Sequence, residues 1–405
     1  MEPKIRFKGF EGEWKAAKLG DIATFSKGSG YSKSDLCKEG SPIVLYGRLY
    51  TKYQSIIDEI DTFVAPKANS VVSVGGEVVI PGSGESPEDI SVAATIKNAG
   101  IIIGGDLNVL KFDYNKNDPA FMSMAITYSP THAELSNYSQ GKTVVHLRNS
   151  EIAKGNICFP RIEEQKAIAN YVLSLDSQIS AATSRLASLK QMKAASLQAM
   201  FPQEGETVPK IRFKGFEGEW KKVKLSEILT ERHENSTITD SLPQLSFTIA
   251  DGVIRPEDRK SNKRDFLIKD IDNKRYLVTK VGDIIYNPAN VVYGAIHRNS
   301  LMNGVVSPIY KIFTTMQDSN FIECVVRRPN FITKLAMCTE GTVTKLKTLK
   351  PEAFLNMEVC ITPSLEEQKL IGNYFTSLDR QISLQSQRLE KLKQIKSACL
   401  DKMFV

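Results

Sequence analysis

The chain has 405 residues, 41% of them hydrophobic and 24% charged, with a net charge of +7 at pH 7 and a sequence pI near 8.9. Such a length serves two to three domains with separate cores. No apolar run approaches the roughly 18 residues of a membrane span, and the opening MEPKIRFKGF lacks the apolar centre of a signal peptide, so a cytoplasmic protein is expected.

The basic excess leans toward a polyanionic partner without establishing one. Six scattered cysteines (Cys37, Cys158, Cys324, Cys338, Cys360 and Cys399) form no CxxC, which reads as reduced thiols rather than a disulfide framework or a zinc site.

In chain order the first element is PKIRFKGFEGEW, Pro3–Trp14, which recurs without substitution at Pro209–Trp220; the two copies hold the only tryptophans. Ile5, Phe7 and Phe10 alternate with Lys4, Arg6 and Lys8, the pattern of a half-buried lead-in segment. A variable region follows. SKGSGYSKSD (Ser26–Asp35) and YGRLYTKYQ (Tyr46–Gln54) mix basic, aromatic and hydroxyl side chains. VVSVGGEVVIPGSG (Val71–Gly84) has β-branched runs punctuated by glycine, GIIIGGDLNVLKF continues as strand, and NYSQGKTVVHL reads as a polar loop entering a strand.

From Ile162 to Phe201 the sequence turns helical, with Pro160 just ahead of the EEQK start and Pro202 as the stop. Val172, Leu175, Ile179, Ala182, Leu186 and Leu189 follow alternating steps of three and four, the stripe of a coiled coil. QEGETV then links to the second copy of the opening segment.

The second half repeats the plan. ERHENS, RPEDRKSNKRDF and VVYGAIHRNS are its basic loops; YLVTKVGDIIYNPAN and GVVSPIYKIF are its strand candidates. VGGEVVI and VGDIIY match as turns. The final helix, Leu365–Phe404, is identical to Ile162–Phe201 at 23 of 40 aligned positions, with Phe375, Leu378, Ile382, Gln385, Leu389 and Leu392 on its stripe. A helix of ~40 residues would extend on the order of 60 Å, the size of a spacer rather than of a helix lying on one small domain. The stripes of Leu175, Ile179, Leu186, Leu189, Leu378, Ile382, Leu389 and Leu392 are expected to pair with each other, antiparallel, or with partner helices.

Signatures of catalysis are missing. There is no GxxxxGK[ST] loop, no HExxH, no nuclease-like carboxylate cluster, and NPAN (Asn287–Asn290) lacks the second proline and aromatic of an adenine methyltransferase motif. The basic loops are more informative, because Lys and Arg neutralise phosphates while Arg, Asn, Ser and Thr read base edges. The DNA-binding candidates are Lys27, Ser29, Tyr31, Lys33, Arg48, Tyr50, Lys52, Ser83 and Lys142 in the first half. In the second half they are Arg232, His233, Asn235, Arg259, Lys260, Lys263, Arg264, Asn287, Tyr293, His297, Arg298 and Lys345. No metal ligand set is proposed.

The repeated PKIRFKGFEGEW, the helix openings EEQKAIANYVLSLDSQI and EEQKLIGNYFTSLDRQI, and the VGGEVVI and VGDIIY turns together resemble the specificity subunits of type I restriction–modification systems over the whole chain. The resemblance implies an α+β architecture: two target-recognition domains of mixed α/β character joined by two long antiparallel coiled-coil helices, with pseudo-two-fold internal symmetry. The corresponding segments are 1–160 and 209–364 for the recognition domains, 161–201 and 365–405 for the helices, and 202–208 for the linker.

It further implies a non-catalytic, DNA-binding subunit that recognises a bipartite duplex target and directs modification (methyltransferase) and ATP-dependent restriction subunits to it. S-adenosylmethionine, ATP and magnesium would sit on those partners and not on this chain. Two reading modules on one face of B-DNA want centres about one turn, ~34 Å, apart, which helices of this length could set. A coiled-coil interaction scaffold that binds no DNA is the alternative, and a self-contained enzyme is disfavoured by the missing motifs.

Overall fold

The structure is a computed structural model and describes residues 2–141, 143–259, 275–339 and 348–405. The chain forms two compact units, Met1–Thr183 with Gln387–Val405, and Ser184–Ser386. The helices span Ile162–Ala199 and Leu365–Lys402, 38 residues each. They end two residues before the expected phenylalanines because Phe201 and Phe404 turn into cores. Each helix gives its first part to one unit and its last part to the other, a division that the linear segmentation into reader and spacer does not contain.

In the first unit the helix segments pair antiparallel, with Asp176 bonded to Lys396 and Tyr171 beside Cys399. Leu175 and Leu392 are buried there, with Ile179 and Leu389 packed against the same core. In the second unit Lys193 meets Asp379 at 2.5 Å and Ser196 meets the Tyr374 hydroxyl at 2.9 Å, while Leu189, Leu378 and Ile382 join its core. Leu186 is half-buried. The stripes therefore pack within the chain.

The opening segment keeps part of the expected alternation, with Phe7, Phe10, Phe213 and Phe216 half-buried and Lys4 and Lys8 exposed, but departs from it at the isoleucine and arginine. Ile5 and Ile211 are 44% and 58% exposed, and it is Arg6 and Arg212 that turn inward. Arg6 grips Glu164 at 2.7 and 2.8 Å, and Arg212 grips Glu367 at 2.6 and 2.8 Å, both in the two-pronged geometry that suits guanidinium and carboxylate. The same guanidinium groups donate to Gly12 O and Gly218 O, at turns whose φ of +87° and +82° favour glycine.

Ile5 N donates to Lys402 O, and Ile211 N to Ala199 O, so each copy caps the last turn of a long helix. Trp14 and Trp220 finish the segments in the cores, against Phe121 and against Phe201 and Phe321. The glutamine of each EEQ is also structural: buried Gln165 accepts from Asp118 N and donates to Pro160 O, and Gln368 accepts from Asp318 N and donates to Thr362 O.

The strand candidates build a mixed sheet in the first unit and an antiparallel one in the second. In the first unit Glu77–Pro81 lies between Leu107–Phe112 and Ala94–Ile96, and Ala23–Lys27 adds outside Leu107–Phe112. In the second, Ile284–Tyr286 lies between Lys311–Thr315 and Ile296–Arg298, with Leu229–Glu231 outside. Behind them pack two helix pairs, Pro119–Tyr128 with Pro130–Tyr138, and Ser319–Val326 with Pro329–Met337. These four helices are additional to the elements expected from the sequence. Among the described residues no helix is long and apolar enough to cross a membrane, all six cysteines are free, and no cluster of His, Cys, Asp and Glu could hold a metal ion.

Candidate nucleic-acid interface

Strand register brings the diverged loops of each unit to an equivalent sheet end. In the first unit Asn108 lies opposite both Lys27 and Ile80, and Leu107 lies opposite Pro81. The chain leaves the sheet at Gly82, and Ser83–Gly84 pairs with Val145–His146. Leu147 N donates to Gly82 O at 3.1 Å. The fully buried Asn108 amide donates to Pro81 O and Leu147 O, which fixes the exit. A side chain at 82 would meet Asp106 O at 3.1 Å and the Lys27 ammonium at 3.5 Å, so glycine lets the lysine lie across the loop. Lys27, Glu85, Asp106, His146 and Arg148 are among the exposed groups.

In the second unit Tyr286 faces Lys311, and Glu231 ends the outer strand. Here the exit is a longer loop, Asn287 to Gly294, but the cross-link is the same: Leu349 N donates to Pro288 O at 3.1 Å, and the buried Tyr286 hydroxyl donates to Leu349 O at 3.2 Å. Lys311 lies 3.5 Å from Glu231, and His233 stands exposed just beyond that strand.

The sequence candidates separate into three groups. Several are turned inward, which corrects their assignment to DNA contact. Tyr31 is buried, with its hydroxyl on Ser70 Oγ and accepting from Lys67 N at 2.7 Å. Ser83 is buried and donates to Asp106 at 3.2 Å. The Arg48 side chain is 9% exposed, and its two terminal nitrogens donate to Asp61, Gln54 and Glu59 O. Arg232 holds the buried Asp283 at 2.8 and 2.9 Å.

His297 is 4% exposed, bonded to Ile249 O, and burial pushes its pKa down to about 4, with the Arg327 charge adding to the effect. Arg298 lies 3.6 Å from Glu323. Such groups are already engaged inside the fold, and freeing Arg232 would leave the buried Asp283 without its counter-charge.

A second group is accessible: Lys27, Lys33, Lys52, His233, Asn235 and Tyr293 are exposed, and Ser29, Tyr50, Arg259 and Asn287 are half-buried. Lys52 is tied to Asp61 at 2.6 Å, Ser29 accepts from Val71 N, Asn235 donates to His233 O, and the Asn287 side chain accepts from Ala289 N. The structure brings Lys27 to the first sheet end, and His233, Asn287 and Tyr293 to the second; it does not bring Lys33 or Lys52 to the first. The third group, Lys142, Lys260, Lys263, Arg264 and Lys345, lies outside the described residues.

The matching turns are structural too. Glu77 accepts from Val74 N and Gly75 N, and Asp283 accepts from Lys280 N, each carboxylate closing its own turn. His146 and Lys311 were missed, because only long-range pairing places them beside the loops; neither has a local signal.

Comparison with known proteins gives a consistent likeness. The profile of the type I restriction modification DNA specificity domain matches residues 11–191 and again 217–394. The type I restriction enzyme MjaVIII specificity subunit of Methanocaldococcus jannaschii is 22% identical over 416 residues, covering 96% of this chain and 91% of that protein. The crystal structure of the type I restriction–modification S subunit from M. genitalium superposes with a TM-score of 0.61 at 14% identity, over 100% of this chain and 99% of that one. The HsdS subunit of Thermoanaerobacter tengcongensis aligns over 97% of this chain and 96% of its own, at 15% identity and a TM-score of 0.43.

Proposed function

This chain belongs to the type I restriction–modification DNA specificity family, and from that premise we propose that it reads a two-part duplex DNA target, one half through each unit. As a specificity subunit it is non-catalytic. We propose that it acts in the cytoplasm by docking modification subunits, which carry S-adenosylmethionine and methylate adenine, and restriction subunits, which carry ATP and magnesium.

One observation supports the two-part reading above the others. The frame is built twice from the same residues, Arg6–Glu164 with Trp14 and Arg212–Glu367 with Trp220, while the loops at the equivalent sheet ends differ in length and chemistry. Repeating the frame with different reading loops is what two half-sites of different sequence require. Cationic groups at those ends, Lys27 in one and Lys311 in the other, suit phosphate positioning.

The test is co-expression with the cognate modification subunit and mapping of methylated adenines across genomic DNA. Two short specified sequences separated by a fixed unspecified gap are expected. Deleting one heptad from both long helices should change that gap. A complex that assembles but methylates without sequence preference would favour a scaffold and overturn the reading.

A further inference from the structure

Among the described residues Tyr293 is the most outward-facing aromatic group of the second unit, with 71% of its surface exposed. It stands on a loop that is otherwise tightly tied down. Val291, two residues earlier, is fully buried in the core with Leu335, Phe331 and Leu349. Asn287 N donates to Ala295 O, Tyr293 N to Asn290 O, and Gly294 N to Val291 O, closing a short 3-10 turn. Gly294 takes φ +85° with open space around it, so glycine is there for the turn and not to admit a neighbour.

The loop foot is held from below by Tyr286 and Leu349. Leaving a large ring in water gives up apolar burial that a core position would supply. Presenting it on a fixed tip reduces the ordering cost of a contact with another molecule, which is why rigid aromatics dominate recognition surfaces.

Among the described residues the first unit has no exposed aromatic ring at the equivalent place. There the exit from the sheet is Gly82, Ser83 and Gly84, all buried, and the exposed groups around it include Lys27, Glu85, Asp106, His146 and Arg148. One unit therefore offers an aromatic projection from its sheet end and the other a flat polar edge.

We propose that Tyr293 is a specificity-determining residue for the half-site read by the second unit, its ring packing on base edges in the major groove and its hydroxyl hydrogen-bonding there. This inference rests on the two-part reading above. The sheet end beneath it, with His233 and Lys311, supplies the polar and cationic groups that would hold the flanking backbone.

The experiment uses the complete complex with its modification subunits and duplex libraries randomised in one half of the target or in the other. Wild type, Tyr293→Ala, Tyr293→Phe and Lys27→Ala are compared by the bound-sequence distribution and by methylation of the selected duplexes. Tyr293→Ala should lower discrimination at one or more positions of a single half by about ten- to a hundred-fold, as expected for loss of a base contact. The opposite half should keep its preference. Tyr293→Phe should keep the discrimination that comes from the ring. Lys27→Ala should weaken binding to all duplexes alike and leave the sequence preference within the Tyr293-dependent half as in wild type.

Unchanged discrimination in Tyr293→Ala, or a loss spread equally over both halves, overturns the assignment of Tyr293 while the two-part preference of the wild type stands. A wild-type complex with no two-part preference overturns the proposed function and this inference with it.

Discussion

The two units are most alike where they are buried and charged, and least alike where a sheet ends in a loop. Arg6 and Arg212, Glu164 and Glu367, Gln165 and Gln368, and Trp14 and Trp220 make the same contacts in each. At the sheet ends, a glycine-rich exit under Lys27 contrasts with an aromatic-tipped loop beside Lys311. The difference shows how one fold can carry two readers. A bidentate ion pair on a buried carboxylate tolerates no change of partner, whereas a surface loop anchored at its feet can vary freely.

The largest expected effect comes from breaking the shared frame. Arg212→Ala leaves the wholly buried Glu367 without its counter-charge and should destabilise the second unit by about 3–5 kcal/mol in denaturant unfolding. Arg6→Ala should do the same to the first unit around Glu164, and equal losses would confirm that the frames are energetically equivalent. Trp14→Ala and Trp220→Ala should each cost about 3–5 kcal/mol, since both indoles are core groups; a loss under ~1 kcal/mol at either site would break the equivalence.

A pH titration distinguishes the units. His297 is buried neutral in the second unit, with its pKa lowered to about 4, mainly by burial. Its unfolded value is near 6.5, so between those values the unfolded chain binds the proton and the folded one does not. Stability is therefore complete above about pH 6.5 and is lost as pH falls toward 4, by about 3 kcal/mol. Hydrogen exchange should show this loss in residues 184–386, and His297→Gln should flatten it.

The smallest effect is expected at the rim. Lys27→Ala should weaken binding of the assembled complex similarly for all sequences and reduce its salt dependence by about one phosphate contact. Lys52→Ala, which removes only the exposed lysine from Asp61, should change stability by less than about 1 kcal/mol.

The long helices, the internal repeat and the central strands of each unit were legible because each is written locally, in three-four stripes, verbatim repetition or β-branched runs beside glycine. The four shorter helices behind the sheets were not. Pro119–Tyr128 is apolar over almost its whole length, so it shows no amphipathic stripe. The candidate interface was legible only as loops rich in Lys, Tyr and Asn. Tyr31, Arg48, Arg232 and His297 had the right chemistry for DNA contact, but Ser70, Asp61, Asp283 and Ile249 claim them, and those partners are 13 to 51 residues away in sequence.

The sequence by itself determined that there are two related halves, where each begins, and that two long helices follow the variable regions, because repetition and period survive without knowledge of contacts. Only the tertiary structure decided that the arginine of PKIRFKGFEGEW faces inward to a helix glutamate, that each unit draws on both long helices, and which loop residues reach solvent. Those outcomes depend on which distant carboxylates and carbonyls satisfy a buried donor, and on strand register, neither of which is encoded in any short stretch of the chain.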